Sequence, residues 1–220
     1  MPRHKFDRSL IPDRPNLQFE NELWKNGIRC IAGVDEAGRG ALAGPVAAGA
    51  VILPYDCPDL MDRLSGVRDS KEMNAEARAY WAVVVKDTAV AWGVGFSSAQ
   101  EIDRLGIVPA TRLAVQSAIA ELQKQVEYLL VDYLALPAIE MPQTALVKGD
   151  ARSLSIAAAS ILAKTTRDAL MVEMSEQYPD YGWARNKGYG TLAHRQALTV
   201  LGPCVEHRRS FAPVAENLTY

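Results

Sequence analysis

Three features of the sequence predict an α/β fold with a mixed β-sheet. Two apolar segments near the N-terminus are separated only by a short glycine-containing break, a pattern typical of an antiparallel strand pair. Later apolar segments alternate with helical patterns, which favours strands joined to the same sheet through helical connections. A long helical segment, residues 153 to about 177, has small residues at its centre and is expected to pack closely on that sheet.

The first half of the chain contains three predicted strands. Residues 1–27 are polar and contain two prolines, so we expect a loose arm that leads into a short helix. Strands are predicted at 28–37, 46–53 and 89–96, and helices at 72–87 and 109–124. The buried face of the second helix is expected to carry Leu113, Ala114, Ala118 and Leu122.

The second half continues the alternation of strands and helices. Two short strands are predicted at 128–132 and 144–148, and both end where chemistry could occur. The long helix follows them. A further helix is predicted at 192–201, within a region that is rich in glycine, aromatic residues and arginine.

Composition excludes several classes of protein. The chain has 220 residues, of which 49% are hydrophobic and 23% charged, as in ordinary globular proteins. Its longest apolar stretch, residues 41–53, contains a proline and is shorter than the ~20 residues of a membrane-spanning helix. No apolar segment follows the basic start, so a secretory signal is not predicted. We therefore expect no membrane insertion.

The three cysteines, Cys30, Cys57 and Cys204, are far apart in the sequence. Their odd number and wide spacing offer neither a disulfide framework nor a paired-cysteine metal site. A reducing compartment fits this pattern best, so a cytoplasmic location is expected.

The distribution of charge is more informative than its sum. The formal net charge is −2 and the pI is about 6.0, which disfavours a generic nucleic-acid coating protein. Residues 54–140 hold thirteen acidic and eight basic residues, whereas residues 148–209 hold nine basic and six acidic residues. The C-terminal third is therefore a candidate nucleic-acid surface, and chance asymmetry on a solvated surface is the alternative.

Two adjacent carboxylates, Asp35 and Glu36, precede a glycine-rich turn at the end of the first predicted strand. The spacing of Gly38, Gly40 and Ala43 formally matches a dinucleotide-binding fingerprint, but a proline and a strand follow instead of a helix. Acidic residues and glycines are also common in ordinary turns. The third interpretation is a site for Mg²⁺ or Mn²⁺, which prefer carboxylate oxygens.

Two further carboxylates favour the metal site. Asp132 and Asp150 also follow apolar strand segments and are expected to gather with Asp35 at one edge of the sheet. Asp150 could instead cap the long helix, although Ser153 can serve as that cap. Because side chains alternate along a strand, Glu36 can share a site with Asp35 only if the strand has ended or if Glu36 contributes its backbone carbonyl.

Several motifs in series resemble the bacterial ribonuclease HII family. They are residues 31–40 (IAGVDEAGRG), 44–46 (GPV), 69–71 (DSK), 130–132 (LVD), 148–150 (KGD), 156–164, 187–191 (KGYGT) and 207–211 (HRRSF). Their order and spacing hold over about residues 28–211, which is most of the chain. Each motif alone is weak, whereas the series is specific.

The resemblance implies a ribonuclease H-like mixed sheet flanked by helices, in a single domain of residues 28–220 that includes a C-terminal helical lobe, about 175–220. It implies a metal-dependent endonuclease that cleaves the RNA strand of RNA–DNA hybrids. The family also nicks duplex DNA 5′ to an embedded ribonucleotide, which leaves 3′-hydroxyl and 5′-phosphate ends. The implied cofactor is Mn²⁺ or Mg²⁺, and nothing in the sequence demands more than a monomer.

The functional residues of the family carry over position by position. Four carboxylates are implied as catalytic, and the first three of them as metal ligands: Asp35, Glu36, Asp132 and Asp150. Asp168 also matches the family pattern, but it lies four residues after Lys164, where an ion pair is expected instead. Tyr133 departs from the family, in which glycine is frequent after the third carboxylate.

A second implied set of residues recognises the substrate. Gly38, Arg39 and Gly40 are expected to approach the sugar and phosphate. Tyr189 is expected to stack on the deoxyribose beside the ribonucleotide, because the 2′-hydroxyl is the group that distinguishes RNA from DNA. Lys71 is expected to contact a backbone phosphate. Weaker candidates for phosphate contacts are Lys148, Arg185, Lys187, Arg208 and Arg209.

This chemistry depends on clustered carboxylates more than on a histidine base, because two divalent ions can activate water and stabilise the leaving oxygen. His4 lies in the arm, and His194 and His207 are expected to contact phosphate or to pack. Two other functions stay open: a nuclease of the same fold class without a 2′-hydroxyl reader, and a protein that binds hybrids without cutting them.

Overall fold

A five-stranded mixed sheet forms the centre of the computed structural model, which describes residues 6–218. The strands are β1 (Ile31–Ala37), β2 (Val46–Ile52), β3 (Ala91–Ser97), β4 (Tyr128–Asp132) and β5 (Gln143–Leu146), in the order β3-β2-β1-β4-β5. β1 and β2 are antiparallel, as are β2 and β3, whereas β4 runs parallel to both β1 and β5. The predicted mixed sheet is therefore confirmed.

The helices are α1 (Gln18–Lys25), α2 (Leu60–Arg63), α3 (Ala75–Thr88), α4 (Ala99–Leu105), α5 (Ile107–Glu121), α6 (Leu154–Gln177), α7 (Trp183–Asn186), α8 (Leu192–Leu201) and α9 (Ala212–Ala215). α5 packs on one face of the sheet and α6 on the other. The last three helices form a C-terminal lobe around a separate small core. Within residues 6–218, no helix is long and apolar enough to span a membrane.

Successive side chains of each strand point to opposite faces of the sheet, so one set packs against α5 and the other against α6. In β1, Ala32 and Val34 face α5, whereas Ile31 packs against Ile156 of α6. The main chain of α6 comes so close that a Cβ atom on Gly33 would lie 2.2 Å from the carbonyl carbon of Ser155. The expected close packing of the small-residue helix on the sheet is confirmed.

Several predicted boundaries differ from those observed. The predicted helix 109–124 lies at Ile107–Glu121, and it is preceded by α4, which was not predicted and which ends at Gly106 with a φ of 84°. The prediction for its buried face is wrong at Leu113, which is exposed, because the apolar face runs through Ala110, Ala114 and Ala118 at a spacing of four residues.

The predicted short helix near the N-terminus is confirmed as α1, but it is docked on the domain. Asn16 pairs with Ser153 in a parallel β-bridge, and Glu20 is almost fully buried. The Glu20 carboxylate accepts hydrogen bonds of 2.6 Å from both the Ser153 and Ser155 hydroxyls, and one of 3.0 Å from the Ser155 N–H. A carboxylate at the N-terminus of α6 is favoured by the helix dipole.

We expect Glu20→Ala to lower the free energy of unfolding by about 2 kcal/mol, because it leaves buried hydroxyls without their acceptor and removes a helix cap. Denaturant unfolding followed by circular dichroism measures this change. The matched control is Glu22→Ala, since Glu22 is exposed on the same helix. Equal stabilities of the two variants would contradict a stabilising role for Glu20.

Candidate active site

The carboxyl ends of β1 and β4 bring acidic residues together. Because these strands are parallel, Asp35 and Asp132 lie at the same edge of the sheet. Asp35 follows Gly33 by two residues, and Asp132 follows Leu130, so both side chains point to the α6 face. Asp150 comes from a 3₁₀ turn just before α6. One oxygen from each of these carboxylates lies within 4.8 Å of the other two.

Each of the three carboxylates has one fixed oxygen. Asp35 Oδ1 accepts from the Glu36 N–H at 2.7 Å, Asp132 Oδ1 from the Gly149 N–H at 2.7 Å, and Asp150 Oδ2 from Lys71 Nζ at 2.9 Å. Among residues 6–218, nothing donates a hydrogen bond to Asp35 Oδ2 or Asp150 Oδ1, although both atoms are buried. Unpartnered buried carboxylate oxygens are costly unless a cation joins them. This donor set therefore fits a hard divalent metal.

Burial and mutual repulsion disfavour ionisation of the cluster. The pKa of Asp35 lies well above its usual range because the side chain is buried and because Glu36 and Asp132 are close. Burial, with the charge of Asp150, raises the pKa of Asp132 to about 6, although the Gly149 N–H acts in the opposite direction. Metal binding at this cluster must therefore release protons.

Glu36 lies outside the three-carboxylate cluster. β1 stays paired with β2 through Ala37, so the possibility that the strand has ended by Glu36 is wrong. The Glu36 side chain pairs instead through Oε1 with Arg39 Nη1 at 3.0 Å, although its charge is still close enough to raise the pKa of Asp35. Asp150 takes the third place in the cluster. The assignment of Glu36 as a ligand, through its carbonyl or its side chain, stays a prediction.

A buried arginine, Arg167, packs directly against the Gly38–Gly40 turn next to this edge. Gly38 has a φ of 87°, and a Cβ atom there would lie 1.9 Å from Nε of Arg167. The Arg167 guanidinium donates to the carbonyls of Pro45, Lys187 and Ala43 at 2.7–3.1 Å. The role of Arg167 could not be predicted from the sequence, because a charged residue on a helix is usually exposed.

Arg208 holds the same segment from the other side. It is fully buried and donates to the carbonyls of Gly44 and Arg39 at 3.0 and 2.9 Å. Its prediction as a phosphate contact is therefore wrong, since the side chain does not reach the surface. Burial and the neighbouring Arg167 charge lower the pKa of Arg208.

Tyr189 lies beside the turn, as the sequence predicts. Its backbone forms a β-bridge with Ala41, and its ring lies 5.1 Å from Lys164 Nζ. It lines a groove of about 520 Å³ whose basic side chains are Arg78, Lys164, Arg185 and Lys187. Asp168 lies in this groove and pairs with Lys164 at 2.7 Å and with Arg78 at 3.5 Å, which confirms the expected ion pair.

The remaining candidates fall into three groups. His194 and His207 are buried and pack in the core of the lobe, and their Nε2 atoms lie 3.1 Å apart. Lys71, Lys148 and Arg209 are exposed. Tyr133 is also exposed and has a φ of 56°, which explains why glycine suits this position. His4 lies outside the described residues.

Comparisons with known proteins show the family of this chain. A family profile described as ribonuclease HII matches residues 32–214. A curated ribonuclease HII of Synechococcus sp. is 54% identical over 203 residues, which cover 92% of this chain and 90% of the relative. A ribonuclease HII of Geobacillus kaustophilus is 50% identical over 218 residues, covering 98% and 82% respectively.

Solved structures share the fold. The ribonuclease H2 of Pyrococcus horikoshii has a TM-score of 0.69 and 25% identity, with 85% of this chain and 96% of that chain covered. The ribonuclease HII in a PCNA complex from Archaeoglobus fulgidus has a TM-score of 0.71 and 24% identity, covering 86% and 97%. A ribonuclease HIII bound to Mn²⁺ has a TM-score of 0.65 and 21% identity, covering 86% and 69%.

A mixed sheet between α5 and α6, with clustered carboxylates where two parallel strands end, defines a metal-dependent nuclease with the ribonuclease H fold. Within that class, the chain belongs to the ribonuclease HII family. It is a ribonuclease H, a divalent-metal-dependent hydrolase that acts on RNA–DNA hybrids.

The two glycines of the turn differ in their structural role: Gly38 is packed against Arg167, whereas Gly40 is exposed. The variants Gly38→Ala and Gly40→Ala test this difference. Gly38→Ala should lower the free energy of unfolding by about 1–2 kcal/mol, because alanine is strained at this positive φ and its Cβ displaces Arg167. Gly40→Ala should leave stability unchanged, since its Cβ would meet no atom within 4 Å. Thermal unfolding of the two variants tests this, and equal losses would contradict it.

The affinity for Mn²⁺ should rise with pH through about pH 6, because the metal requires ionised carboxylates and the pKa of Asp132 is about 6. Over the same range, the stabilising contribution of Asp132 to the metal-free protein should fall, since the folded state binds its proton more tightly than the unfolded state. Calorimetric titration at several pH values, in buffers of different ionisation enthalpy, measures both affinity and proton release. A constant affinity between pH 5 and 7.5 would contradict this.

Proposed function

We propose that the protein also nicks duplex DNA on the 5′ side of a single embedded ribonucleotide, leaving a 3′-hydroxyl and a 5′-phosphate. The observation that carries this proposal is the β-bridge between Tyr189 and Ala41, the residue directly after the Gly38–Gly40 turn that follows β1. An enzyme that cuts at one ribonucleotide must recognise a single 2′-hydroxyl close to its catalytic centre. An aromatic side chain beside an open backbone turn suits that task.

The carboxylates that would hold the metal are Asp35, Asp132 and Asp150, with Glu36 as a fourth ligand, and the ion is Mg²⁺ or Mn²⁺. A pair of such ions, when bound, supplies a nucleophilic water and stabilises the leaving 3′-oxygen. The chain itself fixes the carboxylates through the Glu36 and Gly149 N–H groups. The two lobe histidines have no part in this site, because they are buried among aromatic residues.

The turn and Tyr189 would read the sugar. A Cβ atom on Gly40 would meet open space, so a substrate backbone can approach the main chain there. The Tyr189 ring is half-buried, with Lys164 and Arg167 within 5.4 Å of its centroid, and these contacts limit its motion. A ring fixed in this way can stack on the deoxyribose that follows a ribonucleotide.

Basic residues of the groove would bind the phosphates. Arg185 and Lys187 line the same groove as Tyr189 and come from the lobe, whereas Lys164 comes from α6. Contacts of this kind fix the register of a duplex without reading its sequence. They concentrate positive charge beside the site although the whole chain carries a net charge of −2. All of these groups belong to one chain, so we expect a monomer to act.

The decisive experiment is cleavage of a duplex DNA that contains one ribonucleotide, beside an all-DNA duplex and an RNA–DNA hybrid, with Mg²⁺, Mn²⁺ or chelator. We expect a metal-dependent nick 5′ to the ribonucleotide and none in all-DNA. Tyr189→Ala should lower the preference for the single-ribonucleotide site by about tenfold or more, as expected for the loss of a stacking platform.

Two controls make the result specific. Tyr80→Ala removes an exposed tyrosine of α3 and should leave the preference unchanged. Asp132→Asn should bind the duplex but lose most turnover, which shows that the cutting comes from this protein. Cleavage of the hybrid alone, or an unchanged preference in Tyr189→Ala, would contradict the proposed selectivity.

A further inference from the structure

Lys71 places an ammonium group directly on the carboxylate cluster. Its Nζ lies 2.9 Å from Asp150 Oδ2, a side chain that is 2% exposed, whereas the Lys71 side chain is 66% exposed. Among residues 6–218, no other lysine, arginine or histidine forms an ion pair with Asp35, Asp132 or Asp150. The contact joins a largely exposed side chain to a buried acid.

The segment that carries Lys71 is held in place. The Lys71 N–H donates to Asp69 Oδ1 at 2.9 Å, and Ser70 Oγ lies 2.8 Å from Ser160 Oγ on α6. Both serines are buried. These contacts fix the position of the Lys71 main chain. The position of the ammonium group then depends on the conformation of the flexible side chain.

One ammonium does not satisfy three carboxylates. Asp35 Oδ2 and Asp150 Oδ1 stay buried without a hydrogen-bond partner among residues 6–218 while Lys71 occupies Asp150 Oδ2. A divalent ion can join oxygens of several carboxylates at once, whereas the ammonium is a single charge at the rim of the cluster. Lys71 and a metal therefore compete for the same negative charge.

We propose that Lys71 is a tethered counter-cation of the site: it holds Asp150 while the cluster lacks metal and is displaced when a divalent ion binds. This inference rests on the metal site of the proposed function. Displacement frees the ammonium for the phosphate contact that the sequence predicts for Lys71. Because coupling between two ligands of one site is reciprocal, Lys71 must weaken metal binding by the factor by which metal weakens its own ion pair.

The first test measures the reactivity of the Lys71 amine in the wild-type protein. The protein is acetylated briefly at pH 8 with chelator, Mg²⁺ or Mn²⁺, and modification is quantified by peptide mass spectrometry. We expect Lys71 to react about fivefold faster once metal is bound, because it has lost its partner. Lys124, an exposed lysine just after α5, should react at the same rate in all conditions.

A calorimetric titration of the same samples separates two failures. Metal that binds without changing the Lys71 rate would overturn the counter-cation role and leave the proposed metal site intact. Absence of any metal binding would overturn the metal site and this inference together.

The second test compares Lys71→Met with the matched control Lys124→Met. At pH 8 without metal, Lys71→Met should lower the unfolding midpoint by about 3 °C, whereas in saturating Mg²⁺ it should equal the wild type. Its Kd for the metal should be about fivefold lower than that of the wild type. A deficit that persists in saturating metal, or an unchanged Kd, would overturn the proposal. Lys124→Met should match the wild type throughout.

Discussion

The parallel pairing of β1 with β4 is the constraint on which the site depends. It aligns Val34 with Val131, so the next residues of both strands, Asp35 and Asp132, lie side by side. Contact between Gly33 and the main chain of α6 then sets the distance at which the helix start delivers Asp150. A shift of one residue in this register would turn one carboxylate to the opposite face and separate the cluster.

The same arrangement is electrostatically unfavourable for the protein alone. Three acidic side chains with few donors are held in a poorly solvated pocket, and the raised pKa values of Asp35 and Asp132 reflect that cost. The remainder of the fold tolerates it because two apolar layers surround the sheet and because backbone N–H groups and one lysine hold one oxygen each. Strain of this kind is common where a site is built for a ligand.

Much of the site could be predicted from the sequence. Apolar strands that end in acids predicted the gathering of Asp35, Asp132 and Asp150, since strand ends in an α/β sheet meet at one edge. The orientation of Glu36 could not be predicted, because it depends on whether β1 stays paired with β2 for two more residues. The burial of Glu20 and Arg208 could not be predicted either. The hydrogen-bond partners that stabilise these buried charges are backbone groups and hydroxyls far away in the sequence.

The two buried arginines have a further consequence, for synthesis of the chain. The segment from Arg39 to Pro45 emerges early, but the guanidinium groups that hold its carbonyls belong to residues 167 and 208. A nascent chain that has completed β1 and β2 therefore lacks the contacts that hold the segment around the Gly38–Gly40 turn. These contacts, and the shape that they give to the turn, can form only after residue 208 has been synthesised.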